Sequence, residues 1–280
     1  MHPDKGLLQP WELLHNLHRG SSDVDWCEGN YVVSSFIAEF VNTLSNILFL
    51  VVPPLLIFLF QNYAKSVQKK DIFIIWVLLI AVGLSSAYFH ATLSFAGQML
   101  DELAILWLIC AGFAIWMPSR FLPVGLHRRA FKMGMLAITI TGTILACIRP
   151  VVNAFALMTF GIPITVMLVV EMRRCKNDKI YRLGIRTVIL FGSAVFCWLN
   201  DRLMCEVWLK WRFPYLHGLW HILIFLAAYA CCVLFAYFDA AEAAPGYTPR
   251  LRYWPVDSFE LGIPYVTLYL REDSSKPHDL

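Results

Sequence analysis

Five polar residues stand in otherwise apolar segments of this chain: Ser86 and His90 in one, Asp101 in the next, His217 and His221 in the last. Ionisable groups are costly inside a bilayer, so each is a functional candidate by default. Three histidines and a carboxylate also match a catalytic zinc site, which takes three protein ligands and keeps one position open. Ser86 and His90 are four residues apart, as are His217 and His221, so each pair shares one helix face. Two histidines at that spacing can reach one ion, with the third arriving from another helix. A neutral imidazole binds zinc well at ordinary pH. Any one of these histidines alone reads more plainly as a hydrogen-bonded packing residue; three with an aspartate in one layer favour the metal.

The chemistry such a centre supports is hydrolysis, because zinc acidifies water and polarises a carbonyl. Asp101 is then the general base and proton shuttle. Ser86 could orient the water or hydrogen-bond an oxyanion; its plainer reading is a small helix-packing residue. No G-x-S-x-G elbow surrounds Ser85 or Ser86, which argues against a serine nucleophile.

The elements that must position these groups are membrane helices. The 280 residues are 59% hydrophobic and only 15% charged, with a mean hydropathy of +0.60, which does not suit a soluble domain of this size. Apolar runs near the ~20 residues of a spanning helix occupy 34–60, 72–91, 99–117, 131–148, 151–170, 185–203 and 217–238. The expected fold is an all-α membrane protein, a seven-transmembrane helix bundle with a tight turn at Ile148-Arg149-Pro150. Of the 23 lysines and arginines, only Lys5, Arg19, Arg149, Arg202, Lys210 and Arg212 fall on one side of such a bundle. The positive-inside rule therefore puts the N-terminus in the lumen and the C-terminus in the cytosol. Residues 1–33 do not read as a cleavable signal peptide and form a lumenal segment; 34–238 form one intramembrane domain; 239–280 are a modest cytosolic tail. This topology brings His90, Asp101, Asp201, His217 and His221 to one layer near the lumenal face.

A second cluster precedes the first span. Asp23, Asp25, Glu28 and Asn30 are oxygen donors at short spacing, which suits calcium, although the EF-hand pattern is absent. A solvated acidic segment fits the spacing equally well. Glu39, placed within the first helix, tips the balance because a carboxylate in the membrane layer needs a partner. Glu39, Asn42 and Asn46 form a polar stripe directed into the bundle. Cys27 and Cys205 both fall on the lumenal side, where disulfides persist. A bond between them would tie the N-terminal segment to the sixth helix; two free thiols are the alternative.

The ordered strings Asp25-Trp26-Cys27-Glu28-Gly29-Asn30-Tyr31, Ala38-Glu39-Phe40 with Asn42, and Tyr88-Phe89-His90-Ala91-Thr92-Leu93-Ser94-Phe95 resemble the alkaline ceramidases. So do Gly97-Gln98-Met99-Leu100-Asp101-Glu102, Asp201-Arg202, Tyr215-Leu216-His217 with Trp220-His221, and Tyr253-Trp254-Pro255. The stretch Phe235-Ala236-Tyr237-Phe238-Asp239-Ala240-Ala241 looks most like the Golgi-type branch, which implies a Golgi membrane, with the ER or plasma membrane as alternatives. The resemblance implies an intramembrane amidase that cleaves ceramide to sphingosine and a fatty acid. It implies zinc on His90, His217 and His221 with Ser86 and Asp101 beside it. It also implies calcium on Asp25, Glu28, Asn30, Glu39 and the backbone carbonyl of Trp26, with a regulatory or structural role. Two rivals remain open at this point: a seven-helix receptor with structural zinc, and an inactive relative that binds ceramide. The expected lumenal N-terminus argues against the receptor.

Overall fold

The computed structural model describes residues 16–68, 70–122, 124–149 and 151–271, with the backbone alone for 151–158. It is mostly helical. In chain order the helices are α1 (Phe40–Leu44), α2 (Ile47–Leu59), α3 (Gln61–Val67), α4 (Ile72–Thr92), α5 (Phe95–Trp116) and α6 (Arg128–Ile148). They continue with α7 (Val151–Arg174), α8 (Asp178–Leu203), α9 (Cys205–Lys210) and α10 (Leu216–Ala243). An antiparallel hairpin, β1 (Tyr247–Trp254) and β2 (Ile263–Leu270), pairs Tyr247 with Leu270 and Trp254 with Ile263.

Among the described residues six helices are long and apolar enough to cross a membrane: Phe40–Leu59, Ile72–Thr92, Phe95–Trp116, Arg128–Ile148, Asp178–Leu203 and Leu216–Ala243. The fifth expected span lies in α7, which is helical over Val151–Arg174 but is not one of those six. At the expected tight turn α6 stops at Ile148 and α7 starts at Val151; Pro150 itself lies outside the described residues.

α10 packs against α8, α4 against α5 and α2, and α5 against α6 and α7. The shared core includes Leu56, Phe60, Tyr63, Ile75, Trp76, Leu106, Phe225 and Leu234. Outward faces stay apolar: Met133, Leu136, Ile140 and Ile144 of α6 are exposed, as are Ile189 and Phe196 of α8. A surface of that kind suits lipid tails, and the helices satisfy their own backbone groups as a bilayer demands.

Two expectations change. Residues 34–39 are not helical, because α1 begins at Phe40 and Glu39 is the residue before its first turn. The tail segment 239–271 is ordered and packed: α10 runs on to Ala243, and the hairpin buries Leu251, Tyr253, Val266 and Leu268 in the bundle core. Leu268 N–H donates to Asn62 Oδ1 at 2.9 Å, and Arg182 and Arg186 of α8 both pair with Glu260 in the hairpin loop. The period-2 alternation of those strand residues is what places one face on the bundle.

Candidate metal and active site

The C-terminal end of α4 is where the N-terminal segment becomes structural. Leu93 adopts a left-handed backbone (φ 48°) and ends the helix, leaving its last carbonyls without helical partners. Glu39 N–H donates to His90 O at 3.0 Å, Ala38 N–H to Ala91 O at 3.1 Å, and Gly20 N–H to Thr92 O at 3.0 Å. Ser22 N–H donates to Leu93 O at 3.0 Å. The segment before the first span is thereby stitched to the turn that carries His90. α5 restarts at once, capped by Ser94 Oγ on Gly97 N–H at 3.1 Å, so Asp101 lies on its second turn.

His217 and His221 come from the first turns of α10. Gly218 between them lets α1 approach closely: a Cβ there would meet Val41 at 3.1 Å and Asn42 Oδ1 at 3.3 Å. His90, His217 and His221 form a fully buried group whose candidate ligand atoms all lie within 4.8 Å of one another. The three imidazole centroids are 4.6 to 5.0 Å apart.

The hydrogen bonds fix which nitrogens point inward. Ser45 Oγ gives its single proton to Asn42 O at 2.8 Å, so its 2.7 Å contact with His221 Nδ1 is one it accepts. That leaves His221 Nε2 unprotonated and facing the cluster. Glu39 Oε2 holds His90 Nδ1 in the same way, and His90 Nε2 is buried without a partner among the described residues. His217 Nδ1 is likewise buried and unpartnered. Unpaired buried acceptors are expensive, and metal-ligating histidines usually donate their other N–H to a carboxylate or similar group. The donor set therefore fits a divalent metal ion, and imidazole nitrogen in a buried three-ligand site is compatible with zinc.

Ser86 is buried and its Oγ lies 3.3 Å from His221 Nε2. Its hydroxyl also faces the carboxylate of the half-buried Asp101. Serine, aspartate and histidines drawn from three helices thus meet at one place.

The oxygen-rich cluster is arranged around helix capping. Both Glu28 oxygens are committed, accepting Val41 N–H at 2.7 Å and Asn42 N–H at 2.8 Å at the start of α1. Burial pushes the Glu28 carboxyl above its ordinary pKa, opposed by those N–H bonds. Asn30 Nδ2 donates to both oxygens of Asp25 at 3.2 and 3.1 Å. Glu39 Oε1 accepts Trp26 N–H at 3.1 Å, and Asp25 also interacts with Glu39. Trp26 stacks on His217. Cys27 and Cys205 are disulfide-bonded with Cα atoms 5.4 Å apart.

Two residues with no role assigned from sequence join the site. Ser45 orients His221. Asp201, at the end of α8, accepts Cys27 N–H at 3.1 Å through Oδ2 and His217 N–H at 3.2 Å through Oδ1. Asp201 carries a readable signal, being a buried acid at the end of an apolar helix. Ser45 carries none beyond its place beside Asn46.

The family model described as "Ceramidase" matches residues 18–267. The "Alkaline ceramidase" of Drosophila melanogaster is 53% identical over 260 residues, covering 92% of this chain and 90% of the relative. "Alkaline ceramidase 1" of Homo sapiens is 42% identical over 250 residues, covering 89% and 94%. The "Alkaline ceramidase" of Caenorhabditis elegans is 33% identical over 251 residues, covering 87% and 92%. A match running from the capping segment through the histidine cluster to the hairpin is a match of the whole architecture, and the chain belongs to the ceramidase family.

Proposed function

We propose that this protein is a zinc-dependent amidase that hydrolyses ceramide to sphingosine and a fatty acid within a membrane. The observation that carries the reading is the buried histidine group, with ligand nitrogens turned inward, beside Ser86 and Asp101. The names of the relatives supply the substrate. The reading takes α7 as a seventh span, with the N-terminus lumenal, the C-terminus cytosolic and a Golgi membrane as the compartment.

His90, His217 and His221 hold the ion, kept in register by Glu39, Asp201 and Ser45. Bound zinc supplies a Lewis acid that acidifies water and polarises an amide carbonyl. Asp101 takes one proton from the attacking water on a carboxylate oxygen. The water oxygen bonds to the amide carbon, the C–N bond breaks, and Asp101 returns that proton to the leaving sphingoid nitrogen. Ser86, paired with Asp101, orients the carboxylate and can donate to the developing oxyanion. A regulatory or structural calcium held by Asp25, Trp26 O, Glu28, Asn30 and Glu39 is a secondary part of the proposal. It is supported by the crowding of carboxylates that repel one another and share hydrogen bonds with the zinc-site residues.

Asp101→Asn tests the reading. Loss of a general acid–base group should lower ceramide turnover by ~10²–10⁴-fold while zinc content stays at the parent level. Parent-level hydrolysis by Asp101→Asn would refute its role, and a zinc-loaded protein that never hydrolyses ceramide would favour the receptor or lipid-binding reading.

A further inference from the structure

An apolar cavity of about 250 Å³ opens beside the first span, walled by Ile37, Phe40, Leu44, Ile47 and Leu50 with Ala87 of α4 behind. It is smaller than the ~300 Å³ floor of sites that enclose a whole drug-sized ligand, so it suits a segment of one hydrocarbon chain. Leu44 and Ile47 at its rim are exposed on the outer, lipid-compatible surface.

Two polar side chains, Thr43 and Asn46, break this lining. Asn46 is 1% exposed; its Nδ2 donates to Asn42 O at 2.9 Å, which fixes the orientation of the amide, because the reversed amide would set two acceptors together. Its Oδ1 is buried with no partner among the described residues. Asn46 also sits where the first span is interrupted, between the end of α1 at Leu44 and the start of α2 at Ile47. The neighbours in sequence of the two inner wall residues belong to the active site: Ser45 holds His221 Nδ1, and Ser86, next to Ala87, contacts His221 Nε2.

We propose that this cavity receives the sphingoid chain of the substrate and that Asn46 Oδ1 accepts a hydrogen bond from the sphingoid headgroup. The inference rests on the ceramide reading. Its choice of chain follows from donor chemistry. Oδ1 can only accept, and the donors of a ceramide, the amide N–H and the hydroxyls, are all on the sphingoid side; the acyl side offers a carbonyl. The hydrocarbon lying next to Oδ1 is therefore the sphingoid one, which leaves the acyl chain to another path. Thr43 cannot donate, because its hydroxyl proton is already given to Glu39 O at 2.6 Å; like Asn46 Oδ1 it can only accept, which favours the same donor-bearing side.

The test uses the purified full chain with zinc and ceramides varied in each chain separately. Leu44→Trp, at an exposed rim position, should lower kcat/KM about tenfold or more for a full-length sphingoid chain and leave a short-sphingoid ceramide unaffected. Rescue by shortening the acyl chain instead, or no effect of Leu44→Trp, would overturn the assignment. Asn46→Ala should cost about tenfold, the size of one hydrogen bond, and that cost should vanish for a substrate lacking the engaged donor among its N–H and hydroxyls. An equal cost on every donor-deleted substrate would mean a structural role only and overturn the contact. A ceramide with a diazirine on its sphingoid chain separates this from the parent reading. Cross-links at residues 37–50 without turnover would keep the chain site and sink the amidase, whereas turnover with cross-links elsewhere would do the reverse.

Discussion

The indole of Trp26 lies over the imidazole of His217, with ring centroids 3.6 Å apart and planes 20° from parallel. A residue from the segment before the first span therefore forms one wall of the candidate metal site. Trp220 stacks near the same imidazole, at 4.9 Å, so His217 is held between two aromatic surfaces while Asp201 fixes its backbone. Aromatic pairs of this kind contribute ~0.5–1.5 kcal/mol beyond area burial. Trp26→Ala should weaken zinc binding up to about tenfold, and Trp26→Phe should recover most of it, measured by competition with a chelator.

Glu39 reaches His90 Nδ1, Trp26 N–H and Asn42 Nδ2 from one carboxylate. Loss of such an outer-sphere partner typically costs 10–100-fold in metal affinity or activity. Glu39→Ala should fall in that range and should also remove any calcium response, read as hydrolysis with and without added calcium. A calcium response equal to the parent's would count against a calcium role for Glu39.

The Cys27–Cys205 disulfide closes a sequence separation of 178 residues. Cross-links over long loops typically stabilise by ~2–4 kcal/mol. Cys27→Ser should lower the unfolding temperature and also reduce activity, because Cys27 N–H shares Asp201 with His217. Reduction of the parent by a thiol should reproduce both effects; unchanged melting would show that the bond does not constrain this end of the bundle.

The hairpin offers a pH-dependent contact far from the histidine cluster. The guanidinium of Arg182 hydrogen-bonds Glu260 and holds its carboxyl at about 2, against an ordinary 4.5, with Arg186 adding to the effect. A depressed carboxylate pKa stabilises the folded form fully above the ordinary value, and that contribution fades as pH falls from about 4.5 toward 2. Hairpin protection in hydrogen exchange should drop across that window, and Glu260→Gln should flatten the dependence. The contact is partly exposed, so the effect should be small and weakened by salt.

The histidine cluster was legible because helix periodicity and membrane cost act together: His217 and His221 must share a face, and His90 must find a partner in the same layer. The buried stripe of Glu39, Asn42 and Asn46 followed from the same logic. The exact start of the first span did not, since the run 34–60 reads as continuous, yet Ala38 and Glu39 leave the helix to cap the carbonyls of α4. Those are tertiary bonds with no local signature. Ser45 escaped for the same reason: its role depends on His221, 176 residues away. The hairpin was missed although its alternation of Leu251, Tyr253, Val266 and Leu268 was present in the chain, because nothing local says that a polar-flanked segment folds back onto a membrane bundle.

The most direct measurement is sphingosine release from ceramide by purified, zinc-replete protein at alkaline pH, beside His217→Ala. Release by the parent and none by His217→Ala, together with loss of bound zinc in the variant, is the expected result. Equal release by both proteins would contradict the histidine centre, and no release by a zinc-loaded parent would contradict the ceramidase activity itself.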